Sequence, residues 1–191
     1  MAASSAHTIV ALVYDKPGVL NRIATVVRRR GFNIASLSVG HSESSGLSRI
    51  TFVVDGDDLM ADQVTKQLRK LVDVVRIADI TGESIVGREL ALIKVRCTPQ
   101  NRGEIVQFVD IFRASIVDAS PESFIIEVTG DQDKVASLIK LMQPFGISEV
   151  MRSGRLAMVR GMIGGDSTNV TRVMTNGLAP TPPVEVDRSG G

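Results

Sequence analysis

The chain has 191 residues, 43% of them hydrophobic but only 4% aromatic, and a net charge of +1. That composition can bury two small aliphatic cores, and it offers no electrostatic footprint for nucleic acid or a membrane surface. One cysteine, Cys97, excludes an intramolecular disulfide and fits a reducing compartment. No stretch approaches the roughly 18 apolar residues of a bilayer span, and residues 1–6 lack the charged and apolar regions of a secretory leader. A cytoplasmic protein is expected.

Thr8 to Tyr14 is apolar on both alternating faces, as in a strand buried within a sheet. Asp15-Lys16-Pro17-Gly18 then reads as a turn and helix start. Leu20, Ile23, Ala24 and Val27 stripe one helix face. Arg28-Arg29-Arg30 suits the negative helix end, and Gly31 stops it. Ile34 to Val39 and Arg49 to Val54 form a hairpin around a polar loop at residues 41–46. Asp57 or Asp58 can cap a helix striped by Met60, Val64, Leu68 and Leu71, and Val74 to Ile80 closes the unit. The order βαββαβ predicts a ferredoxin-like sandwich.

Residues 81–87 are a polar connector, after which the order repeats. Ala91 to Arg96 is a strand; Ile105, Phe108, Val109 and Phe112 stripe a helix; Ala114 to Asp118 and Phe124 to Thr129 are strands. Val135, Leu138, Ile139 and Met142 stripe a further helix, followed by strands at Ile147 to Met151 and Leu156 to Arg160. Two tandem ferredoxin-like α+β domains, 7–81 and 88–161, are therefore expected. Residues 162–191 are rich in Gly and Pro and read as a flexible tail.

The inventory for catalysis is thin. His7 and His41 are the only imidazoles, and nothing pairs Cys97 with a base; a buried packing role suits that thiol. Phosphate loops, dinucleotide fingerprints and His/Cys metal spacings are missing. Asp55-Gly56-Asp57-Asp58 lacks the further oxygen ligands of a calcium loop and reads as a helix cap. RNA-recognition domains share this strand order, but they stack bases on sheet aromatics, and here the middle strands of the first unit carry only Phe52.

The informative stretch is Tyr14-Asp15-Lys16-Pro17-Gly18-Val19-Leu20-Asn21-Arg22. A glycine at a strand-to-helix junction admits a ligand to the backbone, where free helix amides favour a carboxylate. Asp15 can receive an ammonium group, and Asn33 adds an amide that donates and accepts. Together these describe an α-amino acid site, although a plain capped turn fits the same residues.

Asp15-Lys16-Pro17-Gly18-Val19-Leu20 resembles the signature of ACT domains, amino-acid-sensing modules of metabolic enzymes. Arg30-Gly31-Phe32-Asn33-Ile34-x-Ser36-Leu37, Ser48-Arg49-Ile50-Thr51, Arg88-Glu89-Leu90-Ala91, Ser120-Pro121-Glu122-Ser123 and Arg152-Ser153-Gly154 are similar to the acetolactate synthase small subunit. The resemblance runs from about His7 to Gly161. It implies a regulatory, non-catalytic subunit that activates a large catalytic subunit and makes it inhibitable by valine or a related branched-chain amino acid. Thiamine diphosphate, magnesium and FAD would then belong to that partner, with no cofactor in this chain. The resemblance also implies a homodimer through the ACT domain, with the effector between a turn from one chain and a strand opening from the other. The positions so implied are Asp15, Gly18, Val19, Leu20, Asn33 and Ile34. Ala35 replaces a glutamate common in the family, and Asn21 stands where many relatives have serine or alanine. A free-standing amino-acid-binding regulator of some other protein is the competing reading.

Overall fold

Strand-length runs of aliphatic residues, interrupted by two helical stripes, build the same unit twice. The structure, a computed structural model, describes residues 5–29 and 31–161. Arg30 of the basic run and the tail expected at residues 162–191 lie outside the described residues.

The first module consists of β1 (Ser5–Tyr14), α1 (Val19–Arg29), β2 (Asn33–His41), β3 (Leu47–Gly56), α2 (Asp58–Leu68) and β4 (Val74–Asp79). Its sheet is antiparallel in the order β2-β3-β1-β4. The second module repeats the plan with β5 (Ile85–Arg96), α3 (Arg102–Ile111), β6 (Ser115–Ala119), β7 (Ser123–Gly130), α4 (Gln132–Met142) and β8 (Ile147–Arg152). The order β6-β7-β5-β8 is the same, and a short β9 (Leu156–Val159) pairs with the first part of β5. These are the two expected ferredoxin-like units.

Each unit encloses its own aliphatic core. Ile9, Ile23, Ile50, Phe52, Val64, Leu68 and Ile77 fill the first; Ile93, Ile105, Ile126, Leu138 and Met142 fill the second. Cys97 is buried in the second core and acts there as a packing residue.

The helical stripes differ in detail from the periodicity. On α1 the buried residues are Val19, Ile23 and Val27, while Leu20 and Ala24 face solvent. On α2 they are Ala61, Val64, Thr65 and Leu68, Met60 is exposed, and Leu71 falls past the helix end. Both helices carry enough apolar residues for two adjacent stripes, and the one that faces the sheet is buried. Residues 85–87 of the expected connector belong to β5, because β9 supplies them with a pairing partner. Asp57 is the residue that caps α2, accepting 2.8 Å from Met60 N.

Candidate effector site

Gly18 stands at the β1–α1 junction with φ +84, a conformation glycine adopts without strain. The first-turn amides of α1 have no intrahelical acceptors. No acidic residue lies in that turn, whereas α2, α3 and α4 carry Asp58, Glu104 and Asp133 there. The positive end of α1 is thus left uncompensated, a setting that attracts an anion. A Cβ built on Gly18 would meet only Arg22 Nη2, at 4.0 Å, so the space above the glycine is open.

The turn is held from below and from the side. Tyr14 N donates to Asp73 O, and Asp15 N to Gly46 O at the β2–β3 tip. Arg22 Nη1 lies 2.7 Å from Asp73 Oδ2 in an ion pair. The contact is charge attraction rather than a directed hydrogen bond, because that buried oxygen has no aligned donor. Asp15, the expected ammonium acceptor, has His41 Nδ1 at 3.2 Å from its Oδ2. Periodicity gave no hint of the Arg22–Asp73 and Asp15–His41 pairs, which join residues far apart in the chain.

Of the six expected positions, Val19 has its side chain in the core and Ile34 packs against it, so each can offer a ligand mainly backbone groups. Leu20 and the Asp15 carboxylate are exposed. Asn33 is exposed too, and its Nδ2 donates to Asp55 Oδ2 at 3.1 Å. The turn and the strand opening do not meet within one chain. β1 and β2 both pair antiparallel with β3, with Tyr14 opposite Leu47, His41 opposite Ser48 and Asn33 opposite Asp55. His41 therefore lies beside the turn and Asn33 at the far end of the sheet, about 26 Å away at ~3.3 Å per strand residue. β2 is also an outer strand of its sheet, with edge groups available for another strand.

The hairpin tip beside the turn carries a strongly acidic group. Glu43 receives a bidentate contact from Arg49 at 3.0 Å and a bond from Ser42 Oγ at 2.9 Å. Its own backbone N–H first, then Arg49 and Ser42, lower its carboxyl from 4.5 to about 2. A depressed folded value means the tip is stabilised above pH 4.5 and loses that contribution as pH falls through about 2. A carbon-detected NMR titration of Glu43 is expected to show its midpoint near 2 rather than 4.5.

Elsewhere, His7 is buried beside β4, with Nδ1 2.9 Å from Asp79 Oδ2 and Nε2 3.6 Å from Asp58 Oδ1. These groups border a cleft of about 440 Å³ on the side of the sheet where β1 begins, away from Gly18. Among the described residues no group of three or more His, Cys, Asp or Glu side chains is placed to hold a metal ion. No helix among them is long and apolar enough to cross a membrane.

Comparison with known proteins agrees with this architecture. Residues 9–76 match the family described as AHAS small subunit-like ACT domain, and residues 88–161 match the family described as small subunit of acetolactate synthase. A protein of Archaeoglobus fulgidus named "Probable acetolactate synthase small subunit" is 58% identical over 155 residues, covering 81% of this chain and 97% of the relative. The acetolactate synthase small subunit of Mycobacterium bovis is 46% identical over 158 residues, 83% of this chain and 94% of that one. The crystal structure of the Thermotoga maritima acetolactate synthase small subunit superposes with a TM-score of 0.77 at 43% identity, covering 83% of this chain and 99% of that chain. With both modules matched in order and relatives this similar over nearly their whole length, the chain belongs to the acetolactate synthase small-subunit family.

Proposed function

We propose that this chain is a non-catalytic, cytoplasmic regulatory subunit that activates the acetolactate synthase large subunit and makes it inhibitable by valine. The observation that carries the effector reading is the separation of Gly18 from Asn33 along an edge strand. Two-fold antiparallel pairing of β2 with its copy would bring the turn of one protomer beside the strand opening of the other. Such self-complementary contact is the usual form of a homodimer.

Val19 N already donates to Lys16 O at 3.3 Å, so on this reading the effector carboxylate meets the first-turn amides of α1 beyond it, and its ammonium group meets Asp15. The exposed side chain of Leu20 flanks the branched side chain, and Asn33 and the Ile34 backbone close the site from the other protomer. Discrimination among valine, leucine and isoleucine rests on single methylenes, each worth about 1–3 kcal/mol. Thiamine diphosphate, magnesium and FAD would be held by the large subunit, which performs the condensation. Residues 7–81 are the sensing domain and 88–161 its ferredoxin-like companion.

Reconstitution tests the proposal. Adding the chain to its large subunit is expected to raise acetolactate formation and to make it fall as valine is titrated in. The chain alone, with pyruvate and all three cofactors, is expected to form none. An unchanged rate on mixing would sink the regulatory reading, and product from the chain alone would sink the non-catalytic one. A chain ending at Gly161, where the family match stops, is expected to activate and respond as the full chain does. Loss of activation on that truncation would assign partner binding to residues 162–191.

A further inference from the structure

We propose that the segment Ser153-Gly154-Arg155 is a strap that couples the effector strand to the second module. It would carry occupancy of the effector site from β2 into the sheet of β5 and β8. The inference rests on the effector reading above and adds the route by which that site acts.

The strap grips β2 three residues beyond Asn33. Ser36 and Ser38 lie opposite Val53 and Thr51 of β3, on the sheet face away from the first core, and Val53 and Thr51 are buried. Ser38 Oγ donates to Ser153 O at 2.6 Å, and Arg155 N donates to Ser36 Oγ at 2.8 Å. The Arg155 guanidinium spans the seam: Nη1 donates to Thr8 Oγ1 of β1 at 2.7 Å, and Nη2 to Gln132 Oε1 at the start of α4.

Gly154 makes this approach feasible. Its φ is +78, and a Cβ there would stand 2.8 Å from Ser36 Oγ and 2.9 Å from the Leu37 carbonyl oxygen. Any side chain would push β2 and the strap apart.

Behind the strap the anchorage is equally direct. Ser153 N donates to Leu90 O at 2.9 Å, and Leu90 N donates to Ser153 Oγ at 3.0 Å. Arg152 makes two bonds, of 2.6 and 2.7 Å, to the buried carboxylate of Glu89. Ser153 is thus bonded to β5, the strand that pairs with both β7 and β8.

Between the effector end of β2 and the strap there is a joint. The β2–β3 register shifts between Ile34 and Ser36, leaving Ala35 unpaired. Ala35 lines the cleft of about 290 Å³ between the modules, with Ser36, Glu89, Arg152 and Arg155. Bulges bend a strand and re-aim the residues beside them. A rotation of Asn33 and Ile34 toward a ligand therefore reaches Ser36 and Ser38 through one deformable residue, and packed elements pass such shifts on as discrete rearrangements.

The test uses full-length chain with its large subunit. Gly154→Ala opens the seam by bulk, and the double variant Ser36→Ala with Ser38→Ala removes its hydrogen bonds without adding any. Valine binding to each chain is read by calorimetry, folding by circular dichroism, and activation and inhibition in the reconstituted enzyme. Expected for both variants are valine affinity within about threefold of wild type, retained activation, and at least a tenfold rise in the valine concentration for half inhibition. Inhibition equal to wild type in folded Gly154→Ala, or in the double variant, overturns the coupling. Loss of valine binding itself overturns it too, because the seam would then be part of the binding site. Failure of the wild-type chain to bind valine would instead overturn the effector reading beneath it.

Discussion

Gly18→Asp is expected to abolish valine inhibition while leaving activation largely intact. The glycine is open to solvent, and a Cβ there meets nothing closer than Arg22 Nη2 at 4.0 Å, so the new side chain does not break the core. At φ +84 an L-residue is strained by roughly 1–2 kcal/mol, least for Asp and Asn. The turn keeps its bonds from Tyr14 N to Asp73 and from Asp15 N to Gly46. The carboxylate, however, occupies the uncompensated positive end of α1 and removes an attraction of roughly 0.3–2 kcal/mol for the ligand's own. Like-charge repulsion at about 5 Å adds ~3 kcal/mol at an effective dielectric near 20, less where water reaches the site. A combined loss of about 3 kcal/mol weakens binding roughly a hundredfold. Valine titration of the reconstituted variant, with circular dichroism to establish folding, reads this directly. Inhibition at the wild-type valine concentration would place the effector elsewhere.

The largest qualitative effect is expected from mixing two variants. Asn33→Ala should weaken valine binding through one or two lost hydrogen bonds, at about 1 kcal/mol each, without touching the turn. In the proposed β2-paired dimer each site would take Gly18 from one protomer and Asn33 from the other. A heterodimer of Gly18→Asp with Asn33→Ala then carries one doubly altered site and one with both native halves. Co-expressed chains are therefore expected to regain inhibition at a valine concentration that affects neither variant alone. Analysis of separately tagged, co-purified heterodimers checks it. If co-expression leaves them insensitive, the site lies within one chain or at a different interface.

Much of this protein was legible before folding. Its aliphatic runs place the strands within about three residues, except that β5 starts six residues before the expected Ala91, because a buried strand needs β-branched and apolar side chains wherever it is covered. The repeated order names the ferredoxin-like plan, and the glycine turn with its bare first helical turn marks the candidate site. Local chemistry also places the cap at Asp57 or Asp58, and the fold selects Asp57, whose carboxylate accepts from Met60 N three residues on.

Tertiary structure decided the rest, for reasons of distance. Val19 rather than Leu20 turned inward on α1, since neighbouring apolar stripes are equivalent until a sheet selects one. Arg152 bonds Glu89 across 63 positions, and Arg155 bonds Ser36 across 119; polar partners that far apart leave no periodicity to read. The strand order alone sends Gly18 and Asn33 to opposite ends of one sheet. The residues of the proposed amino-acid site are thus written in the sequence, whereas their separation within one chain follows only from the direction in which β1 and β2 run.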